Sequence, residues 1–104
     1  MPKFLFVYHG GDMTPPATPE AQEATMKAWG DWMASCGPAL VDPGEAVKKS
    51  VTVTKSGTRD GADNAAFGYS VVEAASYDAA CELAKSNPMV ADGGAIEVAE
   101  INPM

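Results

Sequence analysis

At 104 residues, 46% of them apolar and 20% charged, the chain has the size and composition of one folded domain and excludes a disordered or multidomain protein. Its formal net charge of −7, with seven Lys and Arg read as scattered along the chain, argues against nucleic acid, which needs clustered cations on its phosphates. The acidity reads as a solubility device.

Cys36 and Cys81 have no C-x-x-C spacing and share the chain with a single histidine, so no zinc site is expected. Free thiols on the inner faces of two helices, in a reducing cytoplasm, are the expected state. The first apolar run, Phe4 to Tyr8, is too short for a signal peptide and far too short to cross a bilayer, so no membrane partner is expected.

Residues 3–8 form the first predicted strand, with Phe4, Phe6 and Tyr8 on one face and Leu5, Val7 and His9 on the other. Both faces are apolar, as in a central strand covered on both sides. Gly10 to Ala17 holds glycines and prolines and reads as a loop. Thr18-Pro19-Glu20 starts a helix with an N-cap, a proline at the first helical position and an acid at the positive helix end. That helix runs to about Cys36, where Gly37 caps it and Pro38 stops it. Its predicted inner stripe is Gln22, Met26, Trp29, Met33 and Cys36, with Trp32 on the flank. Glu20, Glu23, Lys27 and Asp31 line the outer face, and Lys27–Asp31 has i,i+4 spacing.

Residues 39–49 read as irregular, with turn chemistry at Asp42-Pro43-Gly44. The β-branched run within Ser50–Lys55 predicts a second strand, joined by a long polar loop to a third at Ala66–Glu73 as a hairpin. Ser76 caps a second helix over roughly Tyr77–Ser86, with Tyr77, Ala80 and Ala84 inward. Asn87-Pro88 ends it, Met89–Gly94 is a loop, and Ala95–Ile101 is the last strand.

The order β-α-β-β-α-β with right-handed crossovers puts both helices on one face of a four-stranded antiparallel sheet, the α+β ferredoxin-like arrangement. The uncovered sheet face is then apolar, which predicts a homodimer packed sheet to sheet.

Several stretches resemble the YCII-related proteins, small bacterial proteins of the dimeric α+β barrel group. They are Phe4–Tyr8 with His9-Gly10-Gly11, Trp29-x-x-Trp32, Val41-Asp42-Pro43-Gly44, Gly68–Ala74 and Gly93–Val98. The resemblance covers essentially the whole chain and implies the fold and the dimer. It also implies a small-molecule pocket, which in some relatives holds a His–Asp pair. One branch is associated with dehydrochlorination of a hydroquinone-type substrate. Another branch, found near sigma-factor genes, carries an Asp-Gly-Pro-Phe motif; this chain reads Asp60-Gly61-Ala62-Asp63 there, so that association does not transfer.

His9 is the leading candidate for proton-transfer chemistry of the isomerase or lyase type, because imidazole exchanges protons near neutrality. The same residue also reads as a half-buried histidine bound to backbone or a carboxylate. Two acids are candidates to orient it. Asp42, in a stretch that carries the resemblance, ranks above Asp12, and Asp31 lies on the solvated helix face. Trp29 and Trp32 are read first as core residues, with Trp32 the better pocket wall because its indole N–H needs a partner. Tyr8, Gly10 and Tyr69 complete the predicted pocket, which takes a small molecule, aromatic ones among the candidates. Walker, Rossmann, nucleophile-elbow and HExxH patterns are absent from the sequence, and no cofactor or metal is expected. A non-catalytic ligand-binding or accessory dimer is the alternative.

Overall fold

The computed structural model describes residues 1–10, 18–91 and 93–102. Its elements in chain order are β1 (Lys3–Gly10), α1 (Pro19–Cys36), a 3-10 turn (Gly37–Ala39), β2 (Leu40–Asp42), β3 (Val51–Thr54), β4 (Gly57–Asp60), β5 (Ala66–Glu73), α2 (Tyr77–Lys85), α3 (Pro88–Ala91) and β6 (Gly94–Glu100). Four strands make one sheet in the order β2-β5-β1-β6, every neighbour antiparallel, in an α+β arrangement compatible with a ferredoxin-like fold.

β1 sits between β5 and β6 and carries the core. Phe4, Phe6 and Tyr8 are buried under the helices: Phe4 meets Tyr77 edge to face at 5.0 Å, Phe6 lies 6.4 Å from Trp32, and Tyr8 meets Trp29 at 5.5 Å. The opposite face of β1 is different. Leu5 and Val7 are only half-buried, so the apolar alternate face has no helix on it.

Caps define the helices. The Thr18 hydroxyl accepts the Ala21 N–H at 3.1 Å and Ser76 accepts that of Ala79 at 3.2 Å, each satisfying an otherwise orphaned donor of the first turn. Asn87-Pro88, expected only to stop α2, also starts α3: the Asn87 side chain accepts the Met89 N–H at 2.8 Å. Proline suits a first helical position because its missing N–H has no helical partner there.

Two expectations are corrected. First, the run 51–54 does not enter the main sheet. It pairs with β4 across the two-residue turn Lys55-Ser56, a local closure that costs less chain entropy than reaching β5 across a long loop. Leu40–Asp42, read as irregular, takes the edge beside β5, and a single bridge from Ala46 to Gly68 extends the contact. Three residues are too few to show a strand period.

Second, the inner stripe of α1 is Trp29, Trp32 and Cys36; Met33 is exposed and Met26 is 74% exposed. Only the last two turns of the helix lie over the sheet. The first ten residues overhang it, so their periodicity has no surface to bury against. Of the cysteines, Cys36 is buried and Cys81 only half-buried; both are free.

Candidate functional site

The sheet divides the predicted site in two. Tyr8, Trp29 and Trp32 lie on the helix side as one aromatic group, Trp29 and Trp32 meeting edge to face at 6.0 Å. Trp32, expected as the pocket wall, is 3% exposed and donates its indole N–H to the Leu83 carbonyl at 2.9 Å. That bond pins α1 to α2 and satisfies the polar tip. The Tyr8 hydroxyl is 2.7 Å from the Ser70 hydroxyl, which donates to the Pro43 carbonyl at 2.8 Å. Burial pushes the Tyr8 phenol above its ordinary value, with the Ser70 hydrogen bond opposing. Asn87 is fully buried near the Tyr8 hydroxyl, and among the described residues its side-chain N–H group meets no hydrogen-bond partner within bonding geometry.

His9 points to the other face, as strand alternation requires of the residue after Tyr8. The register slips between Tyr8 and His9, so that Phe67 of β5 is an extra residue and His9 faces Ala66. Such a bulge re-aims the neighbouring side chain. Here the ring lies between two acceptors: Nδ1 is 3.1 Å from the Ala65 carbonyl and Nε2 is 3.0 Å from Glu97 Oε1. The imidazolium, with two N–H groups, donates to both; a neutral ring donates to only one.

Asp42, ranked first to orient His9, does not reach it. Its carboxylate accepts the Gly44 N–H at 2.8 Å and closes the Asp42-Pro43-Gly44 turn on the edge strand, with β5 standing between it and β1. Asp12 lies outside the described residues. The acid on His9 is Glu97, from the middle of β6. Its place was readable in part. Glu97 is the single charge inside the apolar run Ala95–Ala99, and a last strand beside the first brings it to the level of Val7. Tyr69 faces Val7 from β5 and so shares the open face with His9 and Glu97. Gly10 ends β1 opposite Gly94 with a positive φ of 67°.

The pair is asymmetric: the His9 side chain is 10% exposed and that of Glu97 60%. The carboxylate therefore faces solvent on this side of the sheet, with the imidazole behind it. A hollow of about 370 Å³ at the tip of the β3–β4 hairpin, lined by Thr54, Ser56, Gly57, Thr58 and Arg59, holds none of these residues. Among the described residues no three His, Cys, Asp or Glu side chains converge on a point that could hold a metal, and no helix is long and apolar enough to cross a membrane. Comparison with known proteins finds no matching family model, no matching curated protein and no matching solved structure.

Proposed function

We propose that this chain is a YCII-type, cytoplasmic small-molecule-binding protein, working as a sheet-to-sheet homodimer with His9 and Glu97 as its proton-transfer pair. The observation that carries the reading is the 3.0 Å contact between a nearly buried imidazole and an exposed carboxylate at a bulged strand end. In this arrangement Glu97 exchanges a proton with the ligand, and His9 holds the carboxylate in place and takes up or returns the proton through Nε2. An isomerisation or elimination needs this kind of reversible transfer.

The dimer rests on surface. The chain exposes 6992 Å². A monomer of its 10.8 kDa mass exposes about 5,500 Å². A standard dimer buries about 800 Å² per partner, well within the difference. The open face, with Leu5, Val7, Tyr69 and Val71 half-exposed, is the apolar surface available for it.

A thermal-shift screen of hydroquinones and small aromatic acids, followed by product analysis, tests the chemistry. For a compound that is turned over, Glu97→Gln is expected to lower the rate about 100-fold or more while binding persists. An unchanged rate would remove the pair from the mechanism. Light scattering at low micromolar concentration is expected to give twice the monomer mass, and a monomer alone would overturn the dimer. The second reading, a non-catalytic ligand-binding dimer, is favoured by both ring nitrogens of His9 already having protein partners. Binding without turnover across the panel would select it.

A further inference from the structure

His9 is the one histidine of the chain, and the two acceptors on its ring are of different kinds. Nδ1 faces a backbone carbonyl, that of Ala65 at 3.1 Å, and Nε2 faces a side-chain carboxylate, that of Glu97 at 3.0 Å. A carbonyl and an ionised carboxylate can only accept, so the neutral ring must leave one of them without a donor. The nitrogen that keeps its hydrogen decides where the pair takes up a proton.

The two acceptors differ in their freedom to retreat. Ala65 is half-buried and leads directly into β5, whose first residue, Ala66, is in register with His9. Its carbonyl cannot turn away from the ring without tilting the first peptide of β5. A bare Nδ1 would set two lone pairs against each other at hydrogen-bond distance and leave the carbonyl unsatisfied. Glu97 is the opposite case. Its side chain is 60% exposed and hangs from β6, an outer strand of the sheet, so it reaches water at the sheet margin even where a second copy covers the middle of the face. A carboxylate that turns to water from so exposed an ion pair loses little.

Among the described residues Glu97 alone is ion-paired to the ring. Ala66 and Ala95, in register with His9 on either side, bring no charge. Tyr69 stands across Val7 from Glu97, and Lys3 and Glu73 face each other at the far end of β1. We infer that the Ala65 carbonyl is a positioning group for the pair: it holds the neutral His9 ring in the Nδ1–H form and leaves Nε2 as the atom that gains and loses the proton. A proton that Glu97 takes from a ligand then passes to Nε2, while Nδ1 keeps its own hydrogen on Ala65. The ligand is left as its conjugate base, and the ring, now positive, is paired again with the carboxylate. The tautomer stands on geometry alone; its use in proton transfer rests on the function proposed above.

Nitrogen-15 spectra of the uniformly labelled protein test it, since a single histidine gives a single imidazole pattern. At a pH where the ring is neutral, Nδ1 is expected at the shift of a protonated nitrogen and Nε2 at that of a bare one. The Nδ1–H form should be in about tenfold excess, the population that one net hydrogen bond sets. Free histidine prefers the other form, so this pattern is not the default. An Nε2–H pattern, or two averaged shifts, overturns the inference. Glu97→Ala separates the two acceptors. The Nδ1–H pattern is expected to persist in that variant, and a move to averaged or Nε2–H shifts would overturn the role of the carbonyl. The proton-transfer reading fails separately. A Glu97→Gln rate equal to the parent's, with the Nδ1–H pattern present, removes the pair from the mechanism and keeps the tautomer. A lowered rate with an Nε2–H pattern keeps the pair and removes Ala65.

Discussion

Gly44 is the position where backbone geometry leaves no alternative residue. It has a φ of 73°, and a Cβ there would overlap the Tyr69 carbonyl oxygen and crowd the Tyr69 ring. Left-handed geometry costs an L-residue about 1–2 kcal/mol, and the clash with fixed backbone adds a similar amount or more. Gly44→Ala is therefore expected to lose about 3 kcal/mol in urea unfolding. Gly57 at φ 140° meets nothing and Gly57→Ala is expected to lose less. Tyr8 makes a different demand, on protonation. Its phenol is pushed above the usual 10.0 by burial, and the Cys36 thiol above 9.0 by the same cause. A group whose folded pKa is raised lends stability that is complete below its unfolded pKa and lost as pH climbs through the folded one. Stability is therefore expected to hold up to about pH 9 and then fall. Tyr8→Phe should lower it by about 1 kcal/mol at pH 7, for the lost hydrogen bond to Ser70, yet flatten the decline above pH 10. An alkaline decline as steep in the variant as in the parent would show that Tyr8 is not its source.

At the scale of elements, α1 is held among the described residues by its last two turns. Trp32→Ala removes the indole from the core and the 2.9 Å bond to Leu83, and is expected to cost about 3–5 kcal/mol with loss of near-ultraviolet dichroism. Met26→Gln, on the overhanging half, is expected to stay within about 0.5 kcal/mol of the parent. The contrast explains which elements were legible in sequence. Caps are local, so Thr18, Ser76 and Gly37 marked the helix ends correctly. A helical wheel knows the period but not how far the sheet extends, so it could not tell that Met26 lies beyond the edge. Pairing is non-local in the same way. The β-branched run 51–54 was recognisable as a strand, but its partner depended on the two-residue turn after it, and the three-residue β2 had no pattern to read. Adjacent residues of a strand point apart, so Tyr8 and His9 could not share a cavity. Glu97, the lone charge in its strand, was the acid that strand pairing delivered.

For the whole molecule, the decisive quantity is the apolar area that one layer of helices leaves uncovered. Helices pack on the Phe4–Phe6–Tyr8 side only, so the sheet is buried on one face and half-exposed on the other. Placing a charge in the middle of the open face separates folding from assembly. Val71 lies opposite Leu5 and is half-exposed, so a lysine there can lift its ammonium into water in the monomer. Between two sheets the same ammonium has no water, and Asp42, in register with position 71 on β2, has its carboxylate turned to the Gly44 N–H, so desolvating the ammonium costs several kcal/mol in each copy. Val71→Lys is therefore expected to leave far-ultraviolet dichroism and cooperative unfolding intact while shifting the mass in light scattering from dimer to monomer. Because two lysines enter each symmetric interface, the dissociation constant is expected to rise by at least a hundredfold, as about 2.7 kcal/mol would produce. The unfolding midpoint of the parent should then depend on protein concentration and that of the variant should not, since only an assembling fold is stabilised by mass action. A variant that stays dimeric would place the partner on some other surface, and the open face would have to be covered by something else.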